Sequence, residues 1–189
     1  MTAIGFTSRD LEALPDRPGW RYEIIGGELH VTKAPGWGHQ VVTSRTDRAL
    51  GEWNDETRLG QIAIGPGLVF ADDDDAIPDL VWASHGRLRS VLGADGHLHG
   101  PPELVVEVLS PGASNRRRDR ELKLALYDRR GVDEYWIADV EAGRIEVFCR
   151  DRGALRLAAT LGEGDTLTSP VLPGFACAVG PLFARVLPR

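Results

Sequence analysis

Lysine is almost missing from this chain of 189 residues: of 22 basic residues only Lys33 and Lys123 are lysines, and the rest are arginines. With Arg supplying nearly every cation, a retained Lys raises the question of what a guanidinium could not do there. Cysteine is just as sparse. Cys149 and Cys177 are the two present, without the CxxC or Cys/His spacing of a zinc site, so a reduced, cytoplasmic protein is the simplest expectation. No run of 18 apolar residues occurs, so no membrane-spanning helix is expected. The first residues carry acids and early prolines in place of the apolar segment of a secretory signal. Positive charge is in deficit, at a net −6, which excludes a protein that grips nucleic acid with its whole surface but not one with a local basic stripe. GxSxG, P-loop, GxGxxG and HExxH motifs are absent too, which takes support from the common hydrolase, nucleotide-binding and metalloprotease readings.

What is present is an ordinary globular composition, 42% apolar and 26% charged. That suffices for one buried core and leaves little room for two, so residues 1–189 are read as one domain. YEIIGGELHV between Tyr22 and Val31 reads as a hairpin about Gly26-Gly27. From His39 to Asn54, Val42, Thr46, Ala49, Leu50 and Trp53 form one helical face. GQIAIG, GLVFADDDDAIPDLVWAS and PPELVVEVLSP read as strands. A second helix is expected over Ser114–Arg130, with Ser114 or Asn115 as N-cap and Gly131 as its stop. EYWIADVEAGRIEVFCR reads as a hairpin turning near Glu141-Ala142-Gly143, and the remainder as short strands and turns. This order favours an α/β (α+β) domain, a mixed β-sheet flanked by helices with an N-terminal β-hairpin.

Three positions point to chemistry. Glu107 lies among Leu104, Val105, Val106, Val108 and Leu109, a run typical of a central strand covered on both faces. A carboxylate there is costly unless paired, protonated or bound to a metal; the ordinary alternatives are an edge strand or an Arg partner. Asp79 follows Pro78, which cannot donate to a sheet ladder, so it belongs at a strand's start or on an edge. Two carboxylates on neighbouring strands would suit Mg²⁺ or Mn²⁺. On a helical wheel Lys123 falls with Arg116, Arg120, Tyr127 and Arg130 within roughly an 80° arc, beside an apolar face of Leu122, Ala125 and Leu126. That stripe is either a solvated face, with Asp119 pairing Lys123, or a row of cations facing a phosphate backbone. The acidic run Asp72 to Asp75 reads as a solvated hairpin turn. His39 and Glu28 are further candidates for the site, with capping or surface roles as the alternative.

Taken together, YEIIGGEL, PDLVWAS, the block from Glu103 to Phe148 and SPVLPGF resemble the Uma-type family of restriction-endonuclease-like proteins, within the PD-(D/E)xK nuclease superfamily. The resemblance covers about residues 21–183. It implies a restriction-endonuclease-like fold, and it implies Asp79, Glu107 and the carbonyl of Val108 as ligands of Mg²⁺ (or Mn²⁺). The superfamily places a Lys two residues after the Glu; here that position is Leu109. In the Uma-type family the lysine stands on the following helix, where this chain has Lys123. A second departure is Gly26, where relatives tend to carry an acidic residue. The implied function is endonucleolytic hydrolysis of phosphodiester bonds in DNA, with Lys123 positioning or deprotonating the attacking water and Arg116, Arg120, Tyr127 and Arg130 on the nucleic acid. A homodimer is expected because cutting both strands takes two sites. The alternatives are a silent nucleic-acid-binding or assembly module of the same fold and a phosphoesterase for small nucleotides.

Overall fold

The computed structural model describes residues 5–15, 17–110 and 117–186. Its centre is a six-stranded mixed sheet in the order β10-β9-β8-β7-β6-β3. The strands are β3 (Gly60–Ile64), β6 (Leu80–Ser84), β7 (Leu104–Val108), β8 (Glu134–Asp139), β9 (Arg144–Asp151) and β10 (Ala154–Leu161). Only β7 and β8 run parallel. Their crossover carries a π-helical turn (Arg118–Lys123) that runs into helix α4 (Leu124–Arg130), as a parallel connection requires. A four-stranded antiparallel sheet, β2-β1-β5-β4, stands beside it. It comprises β1 (Trp20–Ile25), β2 (Glu28–Lys33), β4 (Leu68–Ala71) and β5 (Asp74–Ala76). A small pair, β11 (Thr166–Thr168) and β12 (Ala176–Ala178), and α5 (Val179–Phe183) follow.

Alternation along the central strands divides the core in two. Leu80, Trp82, Leu104, Val106, Val108, Trp136 and Ala138 face one way, and helix α2 (Trp37–Thr57) covers them with Val42, Leu50 and Trp53. Val81, Val105, Leu109, Tyr135 and Ile137 face the other way, toward Leu126 and Tyr127 of α4. Glu107 shares the parity of Val105 and Leu109, so the strand itself aims it at the π-turn and α4.

The hairpin forms as expected: Gly26 and Gly27 both take positive φ, which the two-residue turn needs. Gly131 ends α4 in the left-handed conformation, and Gly143 turns β8 into β9. The expected N-cap at Ser114 or Asn115, and Arg116, lie outside the described residues. Other expectations need correction. Ala125 is exposed, so only Leu126 of the expected apolar trio is fully buried. The acidic run is not wholly solvated: Asp74 is buried and receives Arg129, Arg130 and the Gly26 N–H. The segment 68–76 makes β4 and β5 of the second sheet, and helices α1 (Ser8–Glu12) and α3 (His85–Val91) are additional.

Candidate active site

Asp79 stands immediately before β6. Leu80 pairs with Val106 on β7, so continuing that register puts Asp79 opposite Glu107. The Val108 N–H donates to Asp79 Oδ2 at 2.8 Å, tying the carboxylate to the strand that carries Glu107. His39, from the first turn of α2, meets the same oxygen at 2.9 Å, and Arg21 on β1 reaches Oδ1 at 3.2 Å. Three elements therefore fix one side chain.

Glu107 is held from the opposite side. Its Oε1 accepts Lys123 Nζ at 2.7 Å and Tyr127 Oη at 2.8 Å; among the described residues Oε2 has no hydrogen bond. Lys123 Nζ also pairs with Glu23 Oε1 at 2.9 Å, and Glu23 accepts the Ile77 N–H. Lys123 is 1% exposed, Glu107 3% and Asp79 4%. Arg21, Glu23, His39, Asp79, Glu107, Val108, Arg118 and Lys123 line one cavity of about 210 Å³, also bounded by residues 32–36.

The structure thus brings Asp79, Glu107, Val108 and Lys123 together and adds His39. It does the opposite with the cationic stripe. Tyr127 is fully buried against Glu107 and cannot sit on an outward face. Arg120 is paired to Asp139 and Glu146, and Arg130 to Asp74. The wheel groups Lys123 with Tyr127 correctly, but the face they share is turned inward onto Glu107 and not out to solvent. π-Helical turns are frequent at functional sites, and this one carries Arg118, Asp119 and Lys123 into the site region. Glu28 lies exposed at the hairpin, away from the cavity. The residues that sequence reasoning missed are Arg21, Glu23, Arg118 and Asp119. Glu23 had a faint signal, an acid beside Ile24 and Ile25 on β1 of a hairpin whose other acid, Glu28 on β2, drew the notice.

A profile of the Uma2 family, described as "Putative restriction endonuclease", matches residues 8–180. The chain belongs to the Uma2 family. Among solved structures it is similar to a nuclease-like protein from Anabaena variabilis described as "a putative nuclease belonging to DUF820". That structure aligns at TM-score 0.74 and 15% identity over 96% of this chain and 99% of its own. The mixed central sheet flanked by helices is therefore the fold that this chain shares with that structure. The type IIG restriction endonuclease BpuSI aligns at TM-score 0.41 and 14% identity, over 69% of this chain and 15% of that one, too slight a likeness to add to this. Among curated proteins, none matches the sequence.

Among the described residues of this Uma2 site, the carboxylates of Glu23, Asp79, Glu107 and Asp119 meet Lys123 and Arg118, with Arg21 at the rim and His39 on Asp79. Burial would raise Asp79, but the His39 hydrogen bond and charge, Lys123 and the Val108 N–H together bring it below the usual carboxylate range. Glu23 is also lowered: burial opposes it, and Lys123 and Arg118 prevail. Glu107 goes the other way, pushed well above the usual range by burial, with Lys123 opposing and Asp79, Asp119 and Glu23 reinforcing. Burial raises Asp119 as well, and among the described residues its Oδ2 has no hydrogen-bond partner. Lys123 stays an ammonium: burial disfavours its charge, but Glu107 and Glu23 hold it above the ordinary lysine value. With Glu107 and Asp119 both raised, the site's carboxylates hold protons that a cation could replace. Among the described residues no three His, Cys, Asp or Glu side chains are grouped as a protein-only metal cage. The carboxylates of Asp79 and Glu107 could supply hard oxygen donors of the kind Mg²⁺ takes.

Proposed function

We propose that this Uma2 protein is a divalent-metal-dependent endonuclease that hydrolyses phosphodiester bonds in DNA. The observation that carries the reading is the meeting of Asp79, Glu107 and Lys123 at one cavity, with Glu107 raised by burial and, secondarily, by the neighbouring carboxylates. Asp79, Glu107 and the Val108 carbonyl would hold Mg²⁺ or Mn²⁺. The chemistry such an ion supplies is a water of lowered pKa and relief of charge on the phosphoryl oxygens. His39 and the Val108 N–H orient Asp79; Tyr127 and Lys123 orient Glu107. Lys123, already charged, positions the attacking water and shields the transition-state charge. Of the two roles its residue type allows, proton abstraction is the one its environment disfavours. Arg118 faces the cavity as a second fixed cation for a phosphate. Arg120 and Arg130 would meet a DNA backbone only by sharing guanidinium groups with the acids they now bind. A homodimer and a cytoplasmic location belong to the same reading, supported by the need for two cuts and by unpaired Cys149 and Cys177.

The paired state of Arg120 and Arg130 favours, as a second reading, a phosphoesterase acting on a small nucleotide. Cleavage of supercoiled and linear DNA with Mg²⁺ or Mn²⁺ tests the first reading, using wild type, Asp79→Asn and Lys123→Met. Nicking that both substitutions abolish without unfolding is the expected result. Intact DNA with turnover of a small phosphodiester would favour the second. Wild-type cleavage that persists in Asp79→Asn would overturn the assignment of the site.

A further inference from the structure

Asp79 has one hydrogen bond unlike the other two. The contacts to Oδ2, from the Val108 N–H and His39, come from a strand and from a side chain 5% exposed. Oδ1 is met by Arg21 alone among the described residues. That contact is the longest of the three at 3.2 Å, and it is made by a side chain 31% exposed at the rim of the cavity. Arg21 sits on β1 two residues from Glu23, so strand alternation directs both toward the site. The guanidinium therefore occupies, from the solvent side, the one Asp79 oxygen that no buried group holds.

We infer that Arg21 alternates between two partners: Asp79 when the site holds no cation, and the substrate's phosphodiester when it does. This rests on the reading of Asp79 and Glu107 as metal ligands. Two cations at one carboxylate oxygen repel, and the exchange is thermodynamically reciprocal. Whatever weakens the Arg21–Asp79 pair must tighten metal binding, and a phosphate that takes up Arg21 must do the same. Arg21 suits the second role because a planar fork of donors matches a phosphate as well as a carboxylate. Its anchor on a paired strand lets the side chain turn while the backbone stays. Arg21 is thus a substrate-binding residue that competes with a metal ion for Asp79 Oδ1.

The test is calorimetric titration of Ca²⁺ and Mg²⁺ into wild type and Arg21→Gln, followed by titration of a short DNA duplex in Ca²⁺ at several salt concentrations. Far-ultraviolet circular dichroism and thermal melting establish that both proteins are folded. The expected result is opposite movement. Metal affinity without DNA tightens about tenfold in Arg21→Gln, within the usual range of coupling between two ligands. DNA affinity weakens, and its salt slope falls by about one. A purely structural role would weaken both. If wild type binds metal and Arg21→Gln binds it no more tightly, the inference fails while the metal site stands. If wild type binds no metal, the reading of the site fails and the inference with it. Arg21→Lys keeps the charge and loses the fork, so it should restore metal affinity to near the wild-type value and recover only part of the DNA affinity. If Arg21→Gln does not fold, Arg21→Lys decides the matter: DNA affinity equal to that of wild type would overturn the inference.

Discussion

Asp79 owes its orientation chiefly to the Val108 N–H and His39, the two buried contacts on Oδ2, and His39 is the closer of the two side chains that hold it. Removing His39 leaves Oδ2 with the Val108 N–H alone. His39→Ala is therefore expected to lower metal affinity or activity about 10- to 100-fold while the protein stays folded, since partners of metal ligands matter on that scale; calorimetry and cleavage rates check it. The raised Glu107 sets a pH dependence. Its folded-state pKa lies above the unfolded value, so the folded protein holds that proton more tightly, and a cation must displace it. Metal affinity should rise as pH climbs from the ordinary glutamate range toward the raised value, with protons released on binding that appear as buffer-dependent heats. In the absence of metal the same shift makes wild type lose stability relative to Glu107→Gln across that window. Flat metal affinity over it would contradict the assignment. Asp79 and Glu107 were legible from sequence because a proline and an apolar run frame them. Glu23 and Arg21 were not, because a half-buried strand of a hairpin gives no hint of what stands opposite it.

At the scale of elements, the site depends on two sheets held in register, and Asp74 links them. It ends its sheet's β4–β5 turn and takes both Arg129 and Arg130 from the end of α4. Asp74→Ala should destabilise the fold by about 3 kcal/mol, the lower part of the range for breaking a buried pair, because the arginines are partly exposed; urea unfolding reads it. Gly60 makes a different demand. A Cβ there would collide with the Ala83 carbonyl across the β3–β6 ladder. Gly60→Ala should cost on the order of 1–3 kcal/mol as β3 shifts. The strands and the two long helical stretches were readable because their periodicities are local. The second sheet was not, since β1 meets β5 across some fifty residues of sequence and nothing in YEIIGG records that pairing. The π-helical turn was hidden for a related reason. Which face of the helix turns inward is decided by Glu107 on the sheet beneath it, a tertiary fact that a wheel does not carry.

Across the whole molecule, the negative net charge and the outward arginines already paired to acids leave the cavity as the place where a phosphate could meet clustered cations, once a metal ion offsets the carboxylates they now hold. Lys123 and Arg118 are fixed there and Arg21 lies at the rim. The scarcity of lysine now has a physical account at one position. Lys123 must place a compact charge between Glu107 and Glu23 in a fully buried space, where a planar guanidinium would not fit the same two oxygens. Lys123→Arg should therefore behave as a loss of function despite keeping its charge. Lys33, on the hairpin over the Trp20 ring, carries no such constraint. The central claim is that Asp79 and Glu107 together make a hydrolytic metal site. Its most direct test is nicking of supercoiled DNA in Mg²⁺ by wild type and by the near-isosteric Glu107→Gln, with Mg²⁺ binding measured on the same samples. Nicking and binding present in wild type and both lost in the folded variant is the expected result. Nicking at the wild-type rate by Glu107→Gln would contradict it.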